Sequence, residues 1–311
     1  MEATTGRKSM DERNLSMAKK RERMNRNWFF FFISPWLIGF LCLTAGPMIF
    51  SFFMSFTNWD LMTQMKFIGI QNYVNLFKDP IFLTSMKNTF LYAAISVPLN
   101  LLLSLGMAYL LSFHLKGMRF FRTLYYLPAI VPAVASTILF TNILATNGLL
   151  NKALSFIGIT GPSWLLNKNI VLLSFVFLAV WGVGATMVLL LSSINSIDDA
   201  MYESATLDGA TRMQMFVHIT LPQISPVIFF NLITGIIGSL QTFTQVYLMT
   251  KGGPDNASQM IVPYLYTNAF SYYRMGYASA MAWVLFFVIL VLSVIVLKSS
   301  SAWVFYEQEV K

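Results

Sequence analysis

Charge is scarce in this 311-residue chain: only 11% of its residues are Asp, Glu, Lys or Arg, against roughly 25% in soluble domains. With 56% hydrophobic residues and a mean hydropathy of +0.63, the composition excludes a water-soluble globular fold and places the chain in a membrane. Cysteine occurs once, as Cys42, and histidine twice. One cysteine excludes an intrachain disulfide, and so few ligating side chains exclude a clustered metal site. The same scarcity leaves no convincing nucleophile and base pair, which argues against a membrane enzyme. No basic stretch is interleaved with exposed aromatics, so the net charge of +8 does not point to nucleic acid.

Long apolar runs are what the chain has instead. Six of them, at 28–56, 88–112, 123–146, 169–193, 225–249 and 277–297, contain no Asp, Glu, Lys or Arg, and each can cross a hydrocarbon core of about 30 Å as a helix. All 21 basic and 13 acidic side chains lie outside them, as the cost of a charge at the bilayer centre demands. The first run is longer than needed, which predicts a tilt or a break near Pro47. It is also twice a usual signal core and lacks a small-residue cleavage site, so a signal peptide is not expected. With the N-terminus inside, the cytoplasmic segments hold 14 Lys and Arg and the outer loops 7, which predicts cytoplasmic N- and C-termini. The expected organisation is a basic tail at 1–27, one membrane domain at 28–298 and a cytoplasmic tail at 299–311. Lys19-Lys20-Arg21-Glu22-Arg23 reads as a topology anchor, with binding to anionic lipid as the alternative.

The loop between the fourth and fifth runs breaks the charge rule, since it carries Asp198, Asp199, Glu203 and Asp208 against Arg212 alone. Ser196 with Asp199 reads as a capping box that starts a helix. Gly209 is where that helix can turn. A second helix would carry Met213, Phe216, Val217 and Thr220 on one face and stop before Pro222, which opens the fifth span. The picture is a rigid knob of two short helices at about a right angle. Its acids argue against a hairpin lying in the headgroups, which would favour Lys and Arg.

At these residues the chain resembles a family. Glu203, Ala205, Gly209, Ile219, Leu221 and Pro222 match the signature loop of binding-protein-dependent ABC importer permeases: Glu-Ala-Ala, three residues, Gly, nine residues, Ile, one residue, Leu-Pro. Ser204 departs from the usual alanine. The similarity extends to the Ser-Pro-Trp start of the first run, Phe120-Phe121-Arg122-Thr123-Leu124, Leu127-Pro128, Gly252-Gly253-Pro254 and Met275-Gly276-Tyr277, in the manner of the maltose and glycerol-3-phosphate branch and the first of its two permease subunits. The resemblance implies an all-α type I importer fold with six transmembrane helices, in a bacterial cytoplasmic membrane. It also implies a second homologous permease, two ATPase subunits, an extracytoplasmic solute-binding protein and a carbohydrate cargo, an oligosaccharide among them.

The resemblance further implies that the loop at 196–222 docks on the ATPase through Glu203, Ser204, Ala205, Asp208, Gly209, Leu221 and Pro222. Asp208 is either a contact or a helix-ending residue, and His218 reads as structural rather than as a proton carrier. ATP and Mg would be held by the ATPase alone. The chain has no Gly-x-x-x-x-Gly-Lys-Ser/Thr loop of its own, and Gly6-Arg7-Lys8-Ser9 is only a fragment of one.

For the substrate path, Asn231, Thr234, Gly238, Gln241 and Gln245 form a polar stripe in the fifth run. Uncharged amides and hydroxyls suit a sugar. Alignment through Gly252-Gly253-Pro254 puts Ser239, Gln241 and Thr242 where maltose-type permeases place sugar contacts, and Trp181, Gly182 and Thr186 can line the same cavity. Helix-to-helix glue, including close packing at Gly235 and Gly238, is the alternative role. The rival function is an ion-coupled secondary transporter, which would bury a charged coupling site that these runs lack.

Overall fold

The computed structural model describes residues 28–113 and 117–305; the basic run at 19–26 and residues 306–311 lie outside them. It forms two compact units, one ending at Met54 and the other beginning at Ser55. The described part of the first unit is a single helix, Trp28–Met54, built of α1 (28–40), a π-helical turn at Leu41–Ala45 and α2 (Gly46–Met54). In that turn the Gly46 N–H bonds to Leu41 O, five residues back. Pro47, which has no N–H to give, therefore enters a widened helix rather than a broken one.

The second unit opens with a small antiparallel hairpin, β1 (Thr57–Asn58) and β2 (Lys66–Phe67), and a short helix α3 (Gln71–Lys78). Helix α4 (Pro80–Ser112) starts eight residues before the expected 88. Asp79 is the reason: its Oδ1 accepts the Ile81 and Phe82 N–H groups at 2.9 and 3.4 Å, and Pro80 presets the first helical dihedral.

The third expected span is two helices, α5 (Met118–Ile130) and α6 (Ala133–Ile143), bent by 99°. Val131 between them is extended (φ −71°, ψ 129°), the conformation that the Pro132 ring imposes on its predecessor. The short helix α7 (Leu149–Phe156) follows. The fourth span is α8 (Val171–Trp181) and α9 (Gly184–Ile194), bent by 44°. Gly184 is required here, because a Cβ would collide with the backbone carbonyl of Tyr125 on α5.

Next come α10 (Asp199–Leu207), α11 (Arg212–Met215), a π-turn at Phe216–Thr220, α12 (Leu221–Leu240) and α13 (Thr244–Met249). After them α14 (Ile261–Tyr266) leads through a π-turn, Thr267–Ser271, to α15 (Met275–Ser300). Among the described residues four stretches are long and apolar enough to cross a membrane, namely Trp28–Met54, Pro80–Ser112, Arg212–Met249 and Met275–Ser300, and each bent pair, counted as one span, makes one more. That gives the six spans expected. Helix α4 is central to the second unit. Its Ala108 and Leu111 share a buried cluster with Met187 and Leu190 of α9 and Ile224 of α12, while its Tyr92 packs with Phe175 of α8 and Val246 of α13.

Candidate functional site

The acidic loop folds as two helices joined by a tight turn. Asp198, not Ser196, starts the first one: its Oδ1 accepts the Ala200 N–H at 3.0 Å, while the Ser196 hydroxyl turns back to Ser193 O at 2.7 Å. The expected capping box at Ser196 is therefore replaced by a carboxylate cap two residues on, which leaves Asp199 in the first turn to complement the helix dipole. Helix α10 ends in a Schellman motif, with Gly209 N bonded to Thr206 O at 3.1 Å and Ala210 N to Ala205 O at 2.9 Å. Gly209 has φ +78°, so a glycine is needed for its conformation; Asp208 is the last residue before it.

The second helix carries the real capping box. Thr211 Oγ1 accepts the Gln214 N–H, and Gln214 Oε1 accepts the Thr211 N–H at 2.8 Å. The Thr-x-x-Gln spacing was visible in the sequence. This helix does not stop before Pro222. It runs through the π-turn into α12, with the Leu221 N–H reaching back to Phe216 O. The wide turn removes the need for the N–H that proline lacks, so knob and span form one continuous rod. Tyr202 ties α10 to the rod through a 2.9 Å hydrogen bond between its hydroxyl and that of Thr220. Glu203, Ser204, Asp208 and Gly209 are exposed, whereas Ala205, Leu221 and Pro222 are half-buried. Two apolar side chains also face outward, Leu207 at 90% and Met213 at 67% exposure.

Two cavities of about 350 Å³ each lie among the spans. Asn231, Thr186, Ser239 and Thr242 line the first, and Trp181, Gly182, Thr242 and Gln245 the second. Gln241 lines neither; it sits exposed at the end of α12. Gly238 borders the first cavity with nothing near its missing side chain, while Gly235 packs against Val97 of α4. Tyr92 and Thr242 belong to both walls, and Gln245 Nε2 donates to the Tyr92 hydroxyl at 2.8 Å between them. No lining side chain of either cavity is charged. Among the described residues no group of three or more His, Cys, Asp or Glu could hold a metal.

Sequence reasoning missed the α4 wall. Tyr92, Ser96 and Asn100 line the first cavity, and they belong to a longer series at strict spacing of four: Asn88, Tyr92, Ser96, Asn100 and Ser104. Each step of four advances about 40° around a helix of 3.6 residues per turn, so the series spirals and meets a different neighbour at each step. Asn88 Nδ2 donates to Asn256 O and Gln259 O at 3.1 and 3.0 Å. Lower down, Asn100 Nδ2 donates to Ala179 O at 3.1 Å and Ser104 Oγ to Val183 O at 3.1 Å. Those two carbonyls flank the bend between α8 and α9.

Residues 100–300, which hold most of both cavities and all of the knob, match the model of a family described as binding-protein-dependent transport system inner membrane component. The chain belongs to that family. This permease is 42% identical to the probable ABC transporter permease protein YesP of Bacillus subtilis (strain 168), over 89% of this chain and 92% of that one. It is 32% identical to the arabinooligosaccharides transport system permease protein AraP of the same organism, over 88% of each. Among solved structures, a chain of a bacterial ABC transporter involved in import of the acidic polysaccharide alginate superimposes with a TM-score of 0.79 at 27% identity, covering 90% of this permease and 98% of that chain. The type I importer permease fold and the multi-pass membrane class follow from these matches together with the helices above.

Proposed function

We propose that this permease forms one half of the membrane path of an ATP-driven importer that moves an oligosaccharide into a bacterial cell. The other half is a second, homologous permease. Two ATPase subunits, which hold ATP and Mg, dock on the knob, and a solute-binding protein delivers the sugar from outside. The termini and the knob lie on the cytoplasmic side, consistent with the excess of Lys and Arg there. The permeases AraP, named for arabinooligosaccharides, and LacF, named for lactose, support a carbohydrate cargo.

The observation that carries the reading is the knob itself: a capped helix pair, continuous with α12, that presents Leu207, Met213 and Glu203 outward. Apolar side chains so exposed at the end of a rigid rod suit a permanent protein partner. Movement of that partner would then reach the cavity wall on α12 directly. The uncharged walls suit sugar hydroxyls, which need donors and acceptors but no counter-charge. Ser239, Thr242, Gln245, Asn231, Trp181, Gly182 and Thr186 are assigned to the path with Tyr92, Ser96 and Asn100. Gln241 is assigned by the sequence stripe and the resemblance, since it lines neither cavity.

The test is reconstitution with and without the ATPase that copurifies. Uptake should require that ATPase and survive collapse of the proton gradient; uptake without the ATPase that stops with the gradient would mean an ion-coupled transporter instead. Glu203→Lys is expected to abolish substrate-stimulated ATP hydrolysis while the membrane helices unfold at the same temperature as the parent.

A further inference from the structure

The loop between α6 and α8 presents an apolar tip that neither knob nor cavity explains. Phe156 at 90%, Ile157 at 70% and Ile159 at 51% exposure form it, around Gly158 at φ +76°. The tip is not a loose strand. Asn151 Nδ2 donates to Thr146 O and Pro162 O at 2.9 and 3.1 Å, and its Oδ1 accepts the Trp164 indole N–H at 2.7 Å. A side chain at Gly161 would collide with the Asn151 amide. On the inner side, Leu150, Trp164 and Leu165 pack against the buried cluster of Phe140, Leu144 and Leu178. One side of the loop is thus fastened to the spans, and the other holds bulky apolar groups outward in a fixed position.

We propose that this tip is an interfacial anchor, with Phe156, Ile157 and Ile159 inserted among the lipids of the leaflet that the loop borders. Charge decides the occupant. Residues 153–167 contain no charged side chain, so no charge in the tip opposes its entry into lipid. The two flanking charges are both lysines, Lys152 and Lys168, and Lys168 is held by Asp255 at 2.6 Å. Lys152 stays exposed on the polar edge of α7, where an anionic headgroup would meet it. The tip also lies just beyond the ends of two spanning segments, Ile143 and Val171, at the depth where amphipathic segments settle. A delivered binding protein is present only intermittently and would leave these groups in water between deliveries.

The assembled transporter in phosphatidylcholine and phosphatidylglycerol nanodiscs, with Cys42→Ala and a single reporter cysteine, tests this. A polarity-sensitive fluorophore at Phe156→Cys or Ile159→Cys should emit as in an apolar medium. It should be quenched several-fold more by a nitroxide near the lipid glycerol than the same fluorophore at Lys152→Cys, with no change when the binding protein is added. Emission typical of water until the binding protein is added would assign the tip to that protein and overturn the proposal. Apolar emission without lipid quenching would overturn it too, in favour of cover by the second permease.

Discussion

Two glycines show how differently one residue type acts in this chain. A Cβ at Gly209 would meet no atom within 4 Å, but the residue has φ +78°, so Gly209→Ala costs backbone strain alone, about 1–2 kcal/mol. That cost falls on the knob. The expected result is weaker ATPase stimulation in the assembled complex with an unchanged unfolding temperature of the membrane helices, and full stimulation would count against the docking role. Gly184 has ordinary helical surroundings but lies against the Tyr125 carbonyl, so Gly184→Ala must push α5 and α9 apart. Its expected result is the reverse: lower folded yield and a lower unfolding temperature, read by fluorescence size exclusion. Tyr92 is 4% exposed and accepts the Gln245 amide at 2.8 Å. Tyr92→Phe leaves that donor unpaired, at a cost of about 1–3 kcal/mol, and removes a hydroxyl from both cavity walls. Sugar uptake should fall while assembly and knob function persist; uptake equal to the parent would take Tyr92 off the path.

At the level of elements, the start of α4 is joined to α14 and to the start of α15 through one carboxylate. Asp79 Oδ2 accepts the hydroxyls of Tyr264 and Tyr277 at 2.6 and 2.7 Å, while Oδ1 caps the helix. Burial works to raise the Asp79 pKa, but the two tyrosines and the Ile81 and Phe82 N–H groups together outweigh it and lower it below the usual 3.8. Burial, and then the same carboxylate, push the Tyr264 hydroxyl up. Because the folded value is depressed, the stability Asp79 contributes is present above its unfolded value and is lost as pH falls through the folded one. Asp79→Asn should therefore lower the unfolding temperature at neutral pH, and the gap from the parent should close only below about 3.8; a gap that closed near pH 6 would assign it to another group. The early start of α4 was not legible because the charge-free run begins only at 88, and an Asp followed by Pro suits a turn as well as a helix start. Composition exposed all six spans, since charge avoidance acts on whole runs. Breaks inside spans were less legible, because they depend on single residues such as Pro132 and on partners distant in sequence. The α4 polar series was legible and passed over, because its 40° drift per step disguises it as scatter rather than a face.

For the whole molecule, residues 303–305 return to the root of the knob. Beyond α15, the Phe305 N–H donates to Ser225 Oγ at 2.8 Å, and Trp303 meets Phe229 edge-on with ring centroids 5.9 Å apart. Ser225 is buried, and its hydroxyl donates to Pro222 O at 2.6 Å, so one hydroxyl joins the last residues described to the residue where knob becomes span. A rod that transmits force must resist bending at its weakest joint. The π-turn at Phe216–Thr220 is that joint, since its five-residue bond interrupts the α-helical ladder between knob and span. The strap from 303 to 305 grips α12 just beyond it, between knob and cavity. Removal of residues 302–311 takes away the Phe305–Ser225 hydrogen bond and the Trp303–Phe229 ring contact, each worth about 1 kcal/mol, and neither Ser225 nor Phe229 lines a cavity. The truncated permease is therefore expected to assemble and to respond to the binding protein, but to hydrolyse more ATP per sugar imported than the parent. Ser225→Ala should move the same ratio in the same direction by a smaller factor. A truncation that lowered uptake and hydrolysis together, at a constant ratio, would show that the strap only stabilises the fold and does not stiffen the rod.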